Sequence, residues 1–219
     1  MMDKIVKPQV KTGIITVAGE KFHIGRVQNV DALVDAVDDQ QFRDDERLPY
    51  WAELWPSAVA LSEYILGHRA EFYNRHVLEL GSGLGLSGLA AARAGADVLF
   101  TDYESDALAM IRINFKRNFN RQPAVSLFDW RESGFDQPFD IVIASDVLYE
   151  QRWLEPVRKL LNRCVAPGGF AVIAEPGRSV AVPFFKRIAA EGWCDHHESR
   201  SVWLDGKKSD VIIHKMQKC

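Results

Sequence analysis

Val77-Leu78-Glu79-Leu80-Gly81-Ser82-Gly83-Leu84-Gly85 is an apolar strand with a single acid that runs straight into three alternating glycines. Val77, Leu78 and Leu80 suit a strand buried on both faces of a parallel sheet. Glu79 is out of place in such a core and belongs at the strand's carboxyl end, where the sheet opens. Gly81, Gly83 and Gly85 let the backbone turn sharply and approach a ligand, because no Cβ intervenes. Residues 86–93 have helical composition, so a helix N-terminus aims its unpaired N–H groups at the same point. The stretch predicts a nucleotide-type cradle with an acid in its wall.

Two ligand classes compete for such a cradle. Gly83-x-Gly85-x-x-Gly88 fits a dinucleotide fingerprint, with Asp102 near the distance of a ribose-binding acid. Glu79 argues against a dinucleotide, because a carboxylate beside a pyrophosphate is repelled. S-adenosylmethionine carries no phosphate; it offers a cationic ammonium and sulfonium beside a ribose, so acids are wanted at both strand ends. The chemistry favours the methyl donor.

The 219 residues suffice for one large α/β domain with a small extension. A formal charge of -3 argues against a nonspecific nucleic-acid binder. No apolar run has the length of a membrane span, and the N-terminal residues lack a signal-peptide core. Cys164, Cys194 and Cys219 are odd in number without CxxC spacing, so reduced thiols in a cytoplasm are expected rather than disulfides or zinc. No His/Cys/Asp cluster with ligand spacing appears, and no metal is expected.

In chain order, residues 10–17 and 21–27 form a hairpin about Ala18-Gly19-Glu20, and 31–37 form a helix with Asp31 as N-cap. The acids Asp38, Asp39, Asp44, Asp45 and Glu46 read as a solvated loop or a docking surface for a basic partner. Residues 1–48 are thus expected to cover a main domain of 49–219. Trp51, Glu53 and Trp55 precede Pro56, which opens a helix that Gly67 ends. The tryptophans are core staples or walls of a ligand pocket; in the second case Glu53 contacts the ligand or orients a neighbour.

After the glycine loop, six further strands are expected to end in polar groups or close the sheet. Residues 97–100 lead to Asp102, whose two oxygens suit ribose hydroxyls. Residues 124–128 lead to Asp129 and Trp130, where Asp129 accepts an exocyclic amine and Trp130 either stacks or caps the strand. Residues 139–145 deliver Asp146 and Tyr149. Pro167-Gly168-Gly169 stops a helix before strand 170–174, which ends at Glu175-Pro176-Gly177-Arg178. Strands 194–203 and 210–216 close the chain as a hairpin about Gly206. The fold class is α/β: a doubly wound Rossmann-like, seven-stranded mixed sheet with an antiparallel last strand, plus a small N-terminal β-hairpin and helical cover.

Glu79-x-Gly81-x-Gly83-x-Gly85, Asp102, Asp129-Trp130 and Asp146-x-x-Tyr149 resemble the class I, seven-strand S-adenosylmethionine methyltransferases. Trp51-x-Glu53-x-Trp55-Pro56 and Asp146-Val147-Leu148-Tyr149-Glu150 resemble their family 16 protein-lysine branch. Within it, Glu175-Pro176-Gly177-Arg178 and the hairpin resemble the electron transfer flavoprotein β-subunit lysine methyltransferase group and its bacterial relatives. The Asn/Asp-Pro-Pro-Tyr signature of nucleic-acid amino methyltransferases is absent.

The resemblance implies methyl transfer from S-adenosylmethionine to a protein lysine, leaving S-adenosylhomocysteine, with a protein partner and no nucleic acid, membrane or metal. Asp146 and Tyr149 are the implied catalytic residues. Trp51, Glu79, Gly81, Gly83, Gly85, Asp102, Asp129 and Trp130 are implied to hold the donor, Glu79 at its amino-acid end. Glu53, Trp55, Glu175 and Arg178 are implied to meet the substrate. A small-molecule amine methyltransferase, a nicotinamide oxidoreductase and a noncatalytic donor-binding module are the alternatives.

Overall fold

The computed structural model describes residues 9–35 and 48–219. The acidic run, read as a solvated loop or a docking surface, and the end of the expected first helix lie outside the described residues. Strands β1 (Val10–Val17) and β2 (Glu20–Val27) form an antiparallel hairpin with Val17 opposite Glu20. Ala18 and Gly19 between them both have positive φ, 48° and 82°, the backbone a right-twisting two-residue hairpin needs. Helix α1 (Val30–Val34) is capped by Asn29, whose side chain accepts the Ala32 N–H, and not by Asp31 as expected. Asn29 stands one residue ahead of the helix with its amide oxygen in reach; Asp31 already lies within the first turn.

A short 3₁₀ turn at Tyr50–Ala52 leads into α2 (Pro56–Gly67), with Pro56 at its first position, and α3 (Arg69–Phe72). There follow β3 (His76–Leu80), α4 (Leu86–Arg93), β4 (Asp97–Asp102), α5 (Ser105–Phe119), β5 (Ala124–Leu127) and β6 (Phe139–Ser145). The chain ends with α6 (Gln151–Cys164), β7 (Val165–Glu175), α7 (Val182–Ala190), β8 (Trp193–Leu204) and β9 (Lys207–Lys218). The main sheet has seven strands in the order β5-β4-β3-β6-β7-β9-β8. The first five are parallel, and β9 runs antiparallel between β7 and β8. The order reverses at β3, which pairs with β4 on one side and β6 on the other, so a crevice opens beyond its carboxyl end.

Alternation along the central strands builds a core on each face of the sheet. Val77, Ile141, Ile143 and Val172 pack under α2, α4 and α5, whereas Leu78, Leu80, Val142 and Ile173 pack under α6 and α7. These side chains are 0–1% exposed, so both faces of the parallel strands are dry, and burial of this kind contributes about 25 cal/mol per Å² of apolar surface.

Two further sequence expectations differ from the structure. Pro167-Gly168-Gly169 does not precede the strand but lies within β7, where pairing jumps from Phe139–Val165 to Ile141–Phe170. The strand bulges there, and a Cβ on Gly169 would come within 2.4 Å of the Asp140 carbonyl oxygen. Cys194 and Cys219, expected as free thiols, are joined as a disulfide with Cα atoms 5.7 Å apart. The antiparallel ladder places Cys194 opposite Gln217, beside the end of β9, a proximity that residue spacing does not reveal. Cys164 is a buried free thiol. Among the described residues, no helix is long and apolar enough to cross a membrane.

The hairpin is tied to the main sheet through α5. Asn114, fully buried, accepts the Gly25 N–H at 2.7 Å and donates to the Leu84 carbonyl in the glycine loop at 3.0 Å. Asn118 accepts the His23 N–H and donates to its carbonyl. Glu20 adds ion pairs to Arg69 and Arg93 at 2.8 Å. Because Asn114→Ala strands a buried N–H and a buried carbonyl, it is expected to cost about 2–3 kcal/mol in denaturant unfolding. Unchanged stability would show that the hairpin is held by its apolar contacts alone.

Candidate functional site

The glycines after β3 all take left-handed backbone: φ is 60° at Gly81, 52° at Gly83 and 82° at Gly85. A Cβ on Gly81 would meet the Trp130 ring at 2.8 Å, so the loop lies directly against that indole. Gly85 is the N-cap of α4 and brings no side-chain cap. Glu79 compensates from the strand below: its carboxylate accepts the Gly88 N–H, in the first turn of α4, at 3.0 Å. Gly88 permits this approach, since a Cβ there would sit 2.5 Å from the Glu79 carboxylate and 2.2 Å from Phe100.

Glu79 is 1% exposed, and its second oxygen has no hydrogen-bond partner. Burial pushes its carboxyl up to about 8, against the opposing pull of Ser82 and the Gly88 N–H and with a small added push from Asp102. Its carboxylate therefore braces α4 from behind the loop and is not among the groups that line the cleft in front.

Asp102 ends β4 and faces that cleft. It accepts the Gly83 N–H at 2.9 Å and the Glu104 N–H at 3.0 Å. Burial pushes it up to about 6, with both N–H donors acting against the rise. The loop is further laced to β4 by Ser82 N–H to the Thr101 carbonyl at 2.9 Å and by the Thr101 hydroxyl to the Glu79 carbonyl at 2.6 Å.

Trp51, Glu53, Trp55, Gly81, Gly83, Gly85, Asp102, Trp130, Asp146 and Tyr149 all line this one cleft. Trp51 is 9% exposed and packs its backbone on Gly83, so it serves both as core and as wall. The Trp55 indole donates to the Tyr50 carbonyl at 3.0 Å, and Tyr50 meets the Tyr149 ring edge-on at 5.6 Å. Trp130 also packs edge-on against Trp153, with ring centres 5.4 Å apart. Asp129 is placed differently: it lines a small side pocket with Trp130, Tyr149 and Trp153, and its carboxylate is clamped by the Arg131 guanidinium at 2.9 and 3.0 Å.

Asp146 follows β6 with φ 57° and does not cap α6, whose N-cap is Glu150. Its Oδ1 takes two N–H groups of Arg178, at 2.8 and 3.2 Å, while Oδ2 faces the Ser57 hydroxyl at 3.4 Å. Burial raises its carboxyl above the usual range, against the pull of Arg178. Burial likewise raises the Tyr149 hydroxyl, so that side chain stays neutral and hydrogen-donating. Arg178, Asp146, Tyr149, Tyr50, Trp55 and Glu150 frame a second cavity that shares four of these residues with the main cleft. Glu175 lies outside both cavities and holds the turn that carries Arg178.

Sequence reasoning did not single out Tyr103, Ser57 or Asn114. Tyr103 had a legible signal, since it follows the strand-end acid Asp102; Ser57 and Asn114 act only through contacts distant in sequence.

A cleft at the reversal point of a parallel sheet, walled by a glycine loop and a strand-end acid, is the arrangement of a Rossmann-like α/β fold. The structure matches N-methyltransferase NodS from Bradyrhizobium japonicum in complex with S-adenosyl-L-homocysteine at TM-score 0.61 and 14% identity, over 87% of this chain and 99% of that one. It matches the 16S rRNA N2 G1207 methyltransferase RsmC of T. thermophilus, in complex with AdoMet and guanosine, at TM-score 0.65 and 13% identity, over 98% and 52%. A family model described as "Lysine methyltransferase" matches residues 38–191, and the chain belongs to that family.

Similar proteins include the electron transfer flavoprotein beta subunit lysine methyltransferase of Rattus norvegicus, 33% identical over 135 residues, or 59% of this chain and 51% of that protein. The histone-arginine methyltransferase METTL23 of Xenopus laevis is 34% identical over 117 residues, 49% of each chain. EEF1A lysine methyltransferase 3 of Mus musculus is 30% identical over 151 residues, 65% and 63%. The chain thus spans about half the length of the first of these relatives.

Glu79 supplies a test of the loop's bracing that needs no ligand. With a native pKa near 8 and an ordinary one near 4.5 when unfolded, the native state binds the extra proton, so stability falls as pH rises between those values. Glu79→Gln removes that titration. Relative to the variant, the wild type is expected to lose about 3 kcal/mol between pH 5 and pH 8 in denaturant melts. Parallel pH profiles would show that Glu79 is ionised throughout.

Proposed function

We propose that the cleft binds S-adenosylmethionine and that the protein transfers its methyl group to the side-chain amine of a lysine in a protein. The observation that carries this is the joining of two cavities at Asp146 and Tyr149, one walled by the glycine loop and one by aromatic rings and Arg178, in a chain of the lysine methyltransferase family. The absence of any Cβ at Gly81, Gly83 and Gly85 and the acid Asp102 fit a ribose-bearing ligand, and membership of the lysine methyltransferase family points to the methyl donor rather than a dinucleotide. Asp102 accepts the ribose hydroxyls, and Trp51 and Trp130 supply flat walls.

The bound donor supplies a methyl group already activated by its sulfonium, so the protein's task is alignment and a neutral nucleophile. A lysine of ordinary pKa costs about 4–5 kcal/mol to deprotonate at neutral pH. The rings of Tyr50, Trp55 and Tyr149 disfavour the ammonium by desolvation, and the Arg178 guanidinium disfavours it by charge. Arg178 occupies Oδ1 of Asp146, which leaves Oδ2 to orient the amine and receive its proton directly or through water. The formal charge of -3 supports a protein rather than a nucleic-acid acceptor. Residues 49–219 form the catalytic domain in this reading, with 1–48 as its cover. A cytoplasmic setting belongs to the same proposal; there the Cys194–Cys219 pair would be reduced and the β8–β9 ladder alone would hold that corner.

Incubation with isotopically labelled donor and a cell lysate, followed by mass spectrometry of digested protein, tests the assignment. Label on lysine side chains is expected. Label confined to small molecules would support an amine N-methyltransferase instead, and label on arginine would transfer the assignment to the chemistry named for METTL23.

Asp102→Ala is expected to weaken S-adenosylhomocysteine by about 1.5–3 kcal/mol in calorimetry, the scale of hydrogen bonds to a charged group. Because ribose hydroxyls donate to the ionised form, affinity in the wild type should rise as pH passes about 6 and level off above it. Asp146→Asn should lower single-turnover methyl transfer at least tenfold while donor-product affinity holds, as loss confined to the transition state requires. Transfer at the wild-type rate would remove Asp146 from the reaction.

A further inference from the structure

His214 sits on β9, the antiparallel strand between β7 and β8, opposite Ile173 on one side and His197 on the other. Its side chain is 8% exposed, and Phe185 of α7 stacks on the ring with centres 3.8 Å apart. Each ring nitrogen faces a carboxylate: Nδ1 lies 2.8 Å from Asp195 Oδ2, and Nε2 lies 3.6 Å from Glu175 Oε1. Asp195, His197 and His214 also bring three metal-type ligand atoms within 4.8 Å of one another, a cluster that their sequence spacing hides. With a carboxylate at both its nitrogens, however, His214 is balanced by a proton without any ion. The two carboxylates outweigh burial and raise its pKa above the ordinary imidazole value.

Glu175 is 4% exposed, and its other oxygen, Oε2, accepts the N–H groups of Gly177 and Arg178, each at 2.8 Å. Arg178 in turn clamps Oδ1 of Asp146. The contacts therefore run from β8 through β9 and the end of β7 to the carboxylate that the proposed reaction uses, with His214 Nε2, which has no hydrogen-bond partner, joined to Glu175 at ion-pair distance. Among the described residues, Oε1 of Glu175 has one cationic neighbour, His214. Without it a buried oxygen is left uncompensated, and Glu175 is relieved by turning to water, which releases the two N–H groups that set the Arg178 turn.

We infer that His214 is a positioning residue for methyl transfer: through Glu175 it fixes the turn at residues 176–178, and so the grip of Arg178 on Asp146. The inference rests on the methyltransferase reading of Asp146. It does not require His214 to meet donor or acceptor, and neither His214 nor Glu175 lines the cleft.

A pair of substitutions separates positioning from packing. His214→Gln keeps a donor near the place of Nε2, toward Glu175; His214→Asn keeps one only near Nδ1, toward Asp195. Both lose the stack on Phe185. With labelled donor and lysate protein as acceptor, His214→Asn is expected to slow single-turnover transfer at least tenfold and His214→Gln less than threefold, with S-adenosylhomocysteine affinity within twofold of wild type in both. Glu175→Ala, which removes the acceptor of the Gly177 and Arg178 N–H groups, should match His214→Asn, and the double variant should be no slower than the slower single. Equal loss in the Asn and Gln variants, a wild-type rate in His214→Asn, additive loss in the double variant, or a parallel fall in affinity would overturn the inference.

Amide hydrogen exchange supplies a readout that needs no turnover. The Gly177 and Arg178 amides should exchange at least tenfold faster in His214→Asn than in His214→Gln, and equal exchange would overturn the inference. A wild type that transfers no methyl group while these amides respond as expected would refute the proposed function and leave the positioning contact in place.

Discussion

The glycine loop is held between two buried carboxylates, and the geometry of the whole carboxyl edge depends on that grip. Glu79 braces α4 from behind by accepting the Gly88 N–H, and Asp102 pins the loop from the side by accepting the Gly83 N–H. Each N–H would otherwise be an unsatisfied donor near a helix N-terminus or a tight turn. Burial raises the pKa of both acids, so the loop is built at some expense in stability at neutral pH.

The reversal of strand order at β3 converts that local grip into a site. With β4 on one side and β6 on the other, strand ends 102 and 146 open onto the same crevice, and the 3₁₀ turn before α2 folds Trp51 over it. The second half of the sheet contributes from farther away. β7 ends in Glu175, whose carboxylate shapes the Arg178 turn, and Arg178 takes one oxygen of Asp146. Asp146 thus carries a fixed cation on one oxygen and keeps the other toward Ser57, an asymmetry suited to orienting one incoming donor group.

What the sequence made legible was periodic or local. The apolar run of Val77, Leu78 and Leu80, the turn-forming glycines and the Pro56 helix start each follow from chemistry within a few residues, and β3, α2 and α4 form where those signals stand. Contacts made across strands were not legible. The Cys194–Cys219 bond depends on the β8–β9 register, and the Asp195–His214–Glu175 cluster needs three strands in the right order. Glu79 illustrates a subtler limit: its place at the strand end was readable, but whether its carboxylate turned to the cleft or to α4 depended on Gly88 leaving room behind the loop. Asp129 likewise reached its strand end, where the neighbouring Arg131 claimed its carboxylate.

In the proposed function this acid-braced loop holds a ribose-bearing sulfonium ligand and not a dinucleotide. Isothermal titration of the full chain with S-adenosylhomocysteine and, separately, with NAD tests that claim most directly. One S-adenosylhomocysteine per chain and no heat from NAD is the predicted result. Tighter binding of NAD than of S-adenosylhomocysteine would contradict it.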